Sequence, residues 1–389
     1  MRILQVVNVG VEAGGAEKSV RIITEGLRAR GHEVRVLATD HLFDPGRPRI
    51  ADVFTPAVRG GPVRRLAGYF WNRRGYAETR RLVRSFRPDC VHLHTIGEFS
   101  PSVLAATRPL PRVVTVHGPE DWTGELLRWN LASSARGGAL SPADRLRYLY
   151  LYLLQRPAYL LWLRRIDRIL APSGYFAAAV RRDAGKVPVR VLANGIEPPP
   201  AFGEAGPVDA HHVLYAGRLN RVKGVHVLVD AVGRLRERGV QVRLSIVGDG
   251  PERAALEAAA AGLAEQGTVE FLGWRDEEFV RGLMTRAAVV ALPSLWPENF
   301  PTVALEALQA GRPLVASRVG GLPELVGEDN GALVPAGDAA ALADALERVL
   351  GDAVEQDRLA AGSLARAGAY GVEAFLDRII ECYQEISSR

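Results

Sequence analysis

Cysteine is almost missing from this chain: two residues in 389, Cys90 and Cys382, far apart and without CxxC or Cys/His spacing. That excludes a disulfide framework and a zinc site of recognisable spacing, and it fits a reducing cytoplasm. Lysine is scarce too, since of 49 basic residues only Lys18, Lys186 and Lys223 are lysines. The formal charge is still +5. No basic run is interleaved with aromatics as in single-strand binders, so nucleic acid is not an expected partner. The balance suits a phosphorylated substrate or an anionic membrane face. Long apolar runs are lacking: the greasiest stretch, Tyr148 to Leu163, is interrupted by Gln155-Arg156-Pro157 and cannot span a bilayer. Met1 to Asn8 reads as a strand rather than a signal peptide, because its apolar run is short and Gly14-Gly15 follows at once. The expected location is the cytoplasm, with peripheral contact to the inner membrane face left open.

What is there is a length for two domains and a repeated alternation of apolar strands with amphipathic helices. Ile3 to Val9, Val34 to Ala38, Cys90 to Leu93, Val113 to Val116, Ile169 to Ala171 and Val189 to Leu192 read as strands of a first parallel sheet. Pro198-Pro199-Pro200 and Gly203 to Pro207 read as a stiff linker. A second series follows, with strands at Val213, Val242, Val269, Val289 and Leu314 and helices over Val225 to Arg238 and Pro251 to Glu265. The expected fold is α/β, two doubly wound domains facing across a cleft, over residues 1–200 and 208–371. Ligands of such sheets bind beyond the strands' carboxyl ends.

The densest chemistry lies in Pro293-Ser294-Leu295-Trp296-Pro297-Glu298-Asn299-Phe300-Pro301, followed by Thr302-Val303-Ala304-Leu305-Glu306. Prolines closely flanking Glu298 predict a loop, and good helix formers after Pro301 predict a helix that carries Glu306. Pro301 has no N–H, so the first donors of that helix belong to Thr302 and Val303, a terminus suited to an anion. Two acids around a helix start are also compatible with a solvated face or a cap. The apolar neighbours Trp296, Phe300, Val303 and Leu305 argue against a plain surface turn. With Ala310-Gly311-Arg312-Pro313 and Gly320-Gly321-Leu322-Pro323-Glu324-Leu325, this region resembles the retaining nucleotide-sugar glycosyltransferases of family four, which have the GT-B fold.

The resemblance implies roles, residue by residue. Glu306 binds the ribose hydroxyls of the donor and Glu298 the transferred sugar, with Asn299, Phe300, Pro301, Thr302 and Val303 completing the loop and helix start. Arg218 and Lys223, in Gly217-Arg218-Leu219-Asn220-Arg221-Val222-Lys223, match the pair that grips the diphosphate. Gly14 and Gly15 approach the diphosphate and the acceptor, and His117 touches the sugar. Trp274 and Arg275, after a strand of the second domain, stand where the base would lie. A last helix, about 372–389, crosses back onto the first domain. Read from the residues alone, Gly14-Gly15 is equally a tight turn, His117 a structural histidine, and Arg218 with Lys223 solvated loop charges. His92, His94, His211 and His212 have no match in the family and are assigned to structure or surface.

The expected activity is a retaining hexosyl transfer from a nucleotide sugar, UDP- rather than GDP-linked, in polysaccharide, glycolipid or natural-product glycoside synthesis. The donor is a substrate, and no cofactor is expected. The chain has no Asp-x-Asp, the usual motif for a metal that holds a sugar nucleotide, so no metal is expected either. An epimerase of the same fold and a catalytically silent sugar-nucleotide binder are the rivals, and a nicotinamide oxidoreductase fails on glycine spacing. The acceptor stays open. Leu146 to Arg165 reads either as a buried helix or as an interfacial helix reaching a lipid-linked acceptor. The acids Glu98, Glu120, Asp121 and Glu125 near His117 would instead suit a soluble cationic acceptor.

Overall fold

The computed structural model describes residues 1–12, 14–118, 122–124, 127, 142–198 and 207–388. The chain forms two compact units, Met1–Gly195 with Val372–Arg389, and Ile196–Gly371. The first is built on a seven-stranded sheet: β1 (Arg2–Val9), β2 (Glu33–Thr39), β3 (Val53–Thr55), β4 (Cys90–Leu93), β5 (Arg112–Thr115), β6 (Arg168–Ala171) and β7 (Val189–Val191). Every pairing is parallel and the order is β3-β2-β1-β4-β5-β6-β7.

Successive side chains of a strand face opposite ways, so a sheet covered on both sides needs apolar residues at nearly every position. In β1, Leu4 and Val6 join Leu37, Phe99, Trp122 and Phe176 on one face. Ile3 and Val7 join Ile23 and Leu27 of α1 (Gly15–Ala29) on the other. The first face is covered in part by α3 (Arg73–Phe86) and α5 (Arg156–Leu163). Helices α2 (Pro62–Phe70) and α4 (Pro142–Tyr150) contribute no side chain to that core, and a π-helical turn, Leu151–Gln155, joins α4 to α5. Among the described residues no helix is long and apolar enough to cross a membrane.

The second unit carries β8 (Asp209–Ala216), β9 (Arg243–Val247), β10 (Val269–Gly273), β11 (Ala287–Leu292), β12 (Leu314–Ser317) and β13 (Gly331–Val334), all parallel in the order β10-β9-β8-β11-β12-β13. Its helix α6 (Val225–Glu237) puts seven side chains, Val225 to Leu235, into the core. The helix expected over Pro251 to Glu265 is instead two, Arg253–Ala259 and Ala261–Glu265. Ala260 between them leaves helical geometry (ψ 4°), and its N–H is shared among preceding carbonyls.

Chain order reverses at β1/β4 in the first sheet and at β8/β11 in the second. In doubly wound sheets these switch points open a crevice beyond the strand ends. Helix α8 (Val372–Ser387) returns to the first unit and buries Phe375, Ile379, Cys382, Tyr383 and Ile386 against the β1 core. Cys90 and Cys382 both lie in that core, where burial pushes their thiols up to about 12 and about 11, so neither is a reactive thiolate.

Candidate functional site

In the second unit the chemistry gathers where β8 and β11 end. After β8 the chain turns through Gly217 and Arg218 into a 3-10 turn, Arg221–Lys223, and Gly224 follows in the left-handed region (φ +69°). A Cβ on Gly224 would lie 1.9 Å from the Pro293 carbonyl oxygen, and Leu295 N–H donates to the Val222 carbonyl at 2.8 Å. Only glycine permits both that backbone angle and that approach. The turn is thereby pressed onto the loop after β11, and Lys223 Nζ reaches Glu298 Oε1 at 2.6 Å. The same oxygen accepts from Ser294 Oγ at 2.6 Å.

Glu298 is 9% exposed and held from the opposite side by the loop after β12. Gly321 N–H donates to its carbonyl at 2.7 Å, and Gly320 (φ +56°) has space for no side chain, since a Cβ would sit 2.1 Å from that oxygen. Gly320→Ala should therefore lower the melting temperature by several degrees, on the scale of about 1–3 kcal/mol for a strained residue. Gly282→Ala, a helical glycine with open space around it, should be neutral or mildly stabilising in the same scan. Equal shifts for the two would show that the clamp on Glu298 is not tight.

The helix that follows, α7 (Thr302–Gln309), has Pro301 at its N-cap and no side-chain cap. Pro301 thus stands one position before the helix rather than in its first turn, and the leading N–H groups are those of Thr302 and Val303. Phe300 is buried edge-on against Tyr370, with ring centroids 5.4 Å apart, which fixes the loop's exit into the helix. Asn299 is buried, and Glu306 is half-buried on α7. Arg218 is exposed, and its carbonyl accepts from the buried Tyr215 hydroxyl at 3.0 Å. Burial, and secondarily the charge of Glu298, push that phenol well above its ordinary value, so it stays a donor. Trp274, 65% exposed, and Arg275, its guanidinium 4.8 Å from the Phe279 ring centre, follow β10. They lie three strands from β11, about 14 Å by ordinary strand spacing.

In the first unit, Gly14 caps α1 in extended backbone (φ −178°), which any residue can adopt. Its missing side chain leaves the helix start uncapped, with Gly15 as the first helical residue. His117 follows β5 and lies in a hydrogen-bonded series that determines its tautomer. Thr24 Oγ1 donates to the Val20 carbonyl (2.7 Å), so it accepts from Gln5 Nε2 (2.9 Å). Gln5 Oε1 then accepts from His94 Nε2 (2.9 Å), and His94 Nδ1 accepts from His117 Nε2 (2.9 Å). Both imidazoles are neutral with the proton on Nε2. Burial drives the pKa of His117 down to about 4 and that of His94 well below the ordinary value.

His92 stacks on His94 at 3.9 Å between centroids and bonds to the Tyr383 hydroxyl and to Thr115 Oγ1, each at 2.7 Å. Assigning His94 to structure or surface therefore understates it, because it bonds directly to His117. The signal was present as a His-x-His pair at the end of a buried strand beside a polar Gln5 in another. His211 is exposed, and His212 is buried on Ser245 Oγ at 2.7 Å.

Glu98 is not a free acid waiting for an acceptor. It is buried in a 3-10 turn, with Oε1 accepting from the Tyr69 hydroxyl at 3.0 Å and Oε2 from Val58 N–H at 3.3 Å. Its carboxylate ties loops together. Glu120, Asp121 and Glu125 lie outside the described residues. Sequence reading gave Ser294 and Gly224 no role of their own and took Gly320-Gly321 first as a helix entry and second as site; the partners of Gly224 and Gly320 come from distant loops.

The comparisons with known proteins agree with this architecture. The model for Glycosyltransferase Family 4 matches residues 13–198, and that for Glycosyl transferases group 1 matches residues 210–352. Phosphatidyl-myo-inositol mannosyltransferase of Mycobacterium leprae is 29% identical, over 96% of this chain and 94% of its own. Alpha-D-kanosaminyltransferase of Streptomyces kanamyceticus is 28% identical (94% and 98%), and glycogen synthase of Mycobacterium tuberculosis 30% (92% and 87%). Among solved structures, sucrose-phosphate synthase of Thermosynechococcus elongatus superposes with TM-score 0.78 at 23% identity, covering 100% and 99% of the two chains. HepE of Anabaena, in complex with UDP-glucose, does so with TM-score 0.70 at 21% (99% and 100%). Two parallel sheets with these switch points, two family models that together span most of the chain and full-length relatives that transfer sugars establish that the chain belongs to glycosyltransferase family 4 and is a glycosyltransferase of GT-B fold.

Proposed function

We propose that the protein is a retaining, metal-independent glycosyltransferase that takes its sugar from a nucleotide-sugar donor bound at the β8–β11 end of the second unit. The observation that carries this reading is the Ser294–Glu298–Lys223 cluster beside the uncapped start of α7. On this reading Lys223, Arg218 and the N–H groups of Thr302 and Val303 hold the diphosphate. These are cationic or donating groups fixed before reaction, where the leaving charge develops. Glu298 and the loop Asn299–Pro301 take the sugar hydroxyls, Glu306 the ribose, and Trp274 with Arg275 mark the base end of an extended donor. Uridine is the base we favour, and the likeness to HepE supports it.

By resemblance to the family, His117, neutral with Nε2–H committed to His94, is assigned to the sugar. Gly14 and Gly15, at the start of α1 without a side-chain cap, are assigned by the same resemblance to phosphate and acceptor. The departing phosphate oxygen takes the proton of the acceptor hydroxyl, which attacks from the same face, so the anomeric configuration is kept. The acceptor is a sugar, lipid-linked or small-molecule hydroxyl.

A panel of sugar nucleotides scanned by thermal shift should yield one that stabilises the protein. Transfer from it should survive EDTA, and NMR of the product should show the donor's anomeric configuration. Glu306→Gln should weaken donor binding about tenfold or more, the scale of one charge-assisted hydrogen bond. An inverted product, or activity lost in EDTA and restored by magnesium or manganese, would overturn the mechanism.

A further inference from the structure

The positive charge of this chain is concentrated in two segments of the first unit. Residues 59–87 and 144–165 carry fourteen arginines and two acids, Glu78 and Asp144, a net +12 in a chain that totals +5. Everything else therefore nets −7. The two segments are neighbours in the first unit: the Tyr150 hydroxyl donates to the Leu66 carbonyl at 2.9 Å, and the Trp71 and Trp162 rings stand 6.5 Å apart. Arg64, Arg65, Arg73, Arg74, Arg145 and Arg147 are all exposed.

The same two segments are greasy. Nine of the eighteen large exposed hydrophobics among the described residues fall in these two segments, Val63 at 81% and Leu146 at 70% among them. Helix α2 is the sharpest case. Val63, Leu66 and Phe70 form a stripe at helical spacing, yet the stripe points to solvent, and none of the helix's described side chains is buried. A nine-residue helix that turns only half-buried Gly68 and Tyr69 inward and its apolar stripe outward is marginal in water unless the stripe is covered. Leu146 to Arg165 behaves likewise: it buries Leu151, Tyr159 and Leu163 and exposes Leu149, Leu153, Leu154 and Leu161. Of the two readings of this segment, the buried helix therefore holds for one side only.

We propose that this face, α2 with α4, the π turn and α5, docks on an anionic lipid bilayer. Aliphatic side chains among arginines fit a headgroup boundary, where leucines enter the acyl region, guanidinium groups reach lipid phosphates, and Trp and Tyr sit at the interface. A nucleic acid would supply the negative charge but no apolar layer to cover leucines. The proposal is independent of the donor chemistry above.

Flotation of the full-length protein with phosphatidylglycerol/phosphatidylcholine vesicles tests it. The protein should rise with anionic vesicles at low salt, stay behind with pure phosphatidylcholine, and lose at least tenfold in affinity on Arg64→Glu/Arg65→Glu. Leu153→Ser/Leu154→Ser should lose at least fivefold without changing charge. These positions are exposed, so unchanged melting curves must accompany both variants. A wild type that stays in the soluble fraction at low salt overturns the proposal. So does unaltered vesicle binding by the leucine variant, or tighter binding to duplex DNA than to anionic vesicles, either of which would leave a surface for polyanions in general.

Discussion

Lys223→Ala is expected to lower turnover by a factor on the order of a hundred or more, the scale of losing one preorganised charge-stabilising donor. It should also cost about 1–2 kcal/mol of stability. Lys223 Nζ is the cation on Glu298 Oε1 at 2.6 Å, and its removal leaves a buried carboxylate that, among the described residues, keeps Ser294 as its side-chain donor. Breaking a fully buried pair costs about 3–5 kcal/mol, but the Lys223 side chain is 30% exposed and water screens part of the loss. Arg218→Ala separates the two effects, because an exposed guanidinium on a loop should matter to turnover and hardly at all to melting. Lys223→Arg should rescue poorly, since a planar fork does not replace a compact ammonium in a turn pressed onto Pro293. Steady-state kinetics and melting curves on the three variants decide the matter. Turnover within threefold of wild type for Lys223→Ala would remove the lysine from the site.

Mild acid should unfold this protein early. His117 and His212 are pushed down to about 4 and His92 to about 3 by burial, from an ordinary value of 6.5. Above pH 6.5 both folded and unfolded chains hold these rings neutral, and stability is flat. Below it the unfolded chain binds protons that the folded one refuses, so stability falls with pH until about 4 for two of the rings and about 3 for the third. The slope for three such groups approaches about 4 kcal/mol per pH unit. Urea midpoints at pH 7.5, 6 and 5 should drop progressively, and a midpoint unchanged from 7.5 to 5 would mean these imidazoles are not held neutral. Because His117 is neutral throughout this range, loss of activity in mild acid should track unfolding rather than a titration at the site.

The fold was legible because its signals are local. Apolar runs such as Ile3 to Val9 and the helical period of Val225 to Leu235 survive intact in the structure. Glu298 in a loop and Glu306 on a helix were also readable, since prolines and helix formers act over a few residues. The pairing of Lys223 with Glu298 was not, because 75 positions separate them and only the β8–β11 neighbourhood joins them. For the same reason Gly224 drew no separate reading and Gly320 looked first like a helix entry: what each must avoid, the carbonyl oxygens of Pro293 and Glu298, comes from another loop. The exposed stripe of α2 escaped because periodicity reports an apolar face without reporting what covers it.

The return of α8 to the first unit has a consequence for how the protein is made. Residues 1–195 leave the ribosome before the second unit, while the side chains that close their core, Phe375, Ile379, Tyr383 and Ile386, come only after residue 371. At ordinary elongation rates the intervening 176 residues take roughly 10–35 s to synthesise. For that interval the nascent first unit lacks the Leu376 side chain that packs on Gly26, and His92 lacks the hydroxyl of Tyr383. The second unit, one uninterrupted segment, can complete its core first. The half of the chain translated earlier is thus the half whose core closes later, when α8 arrives.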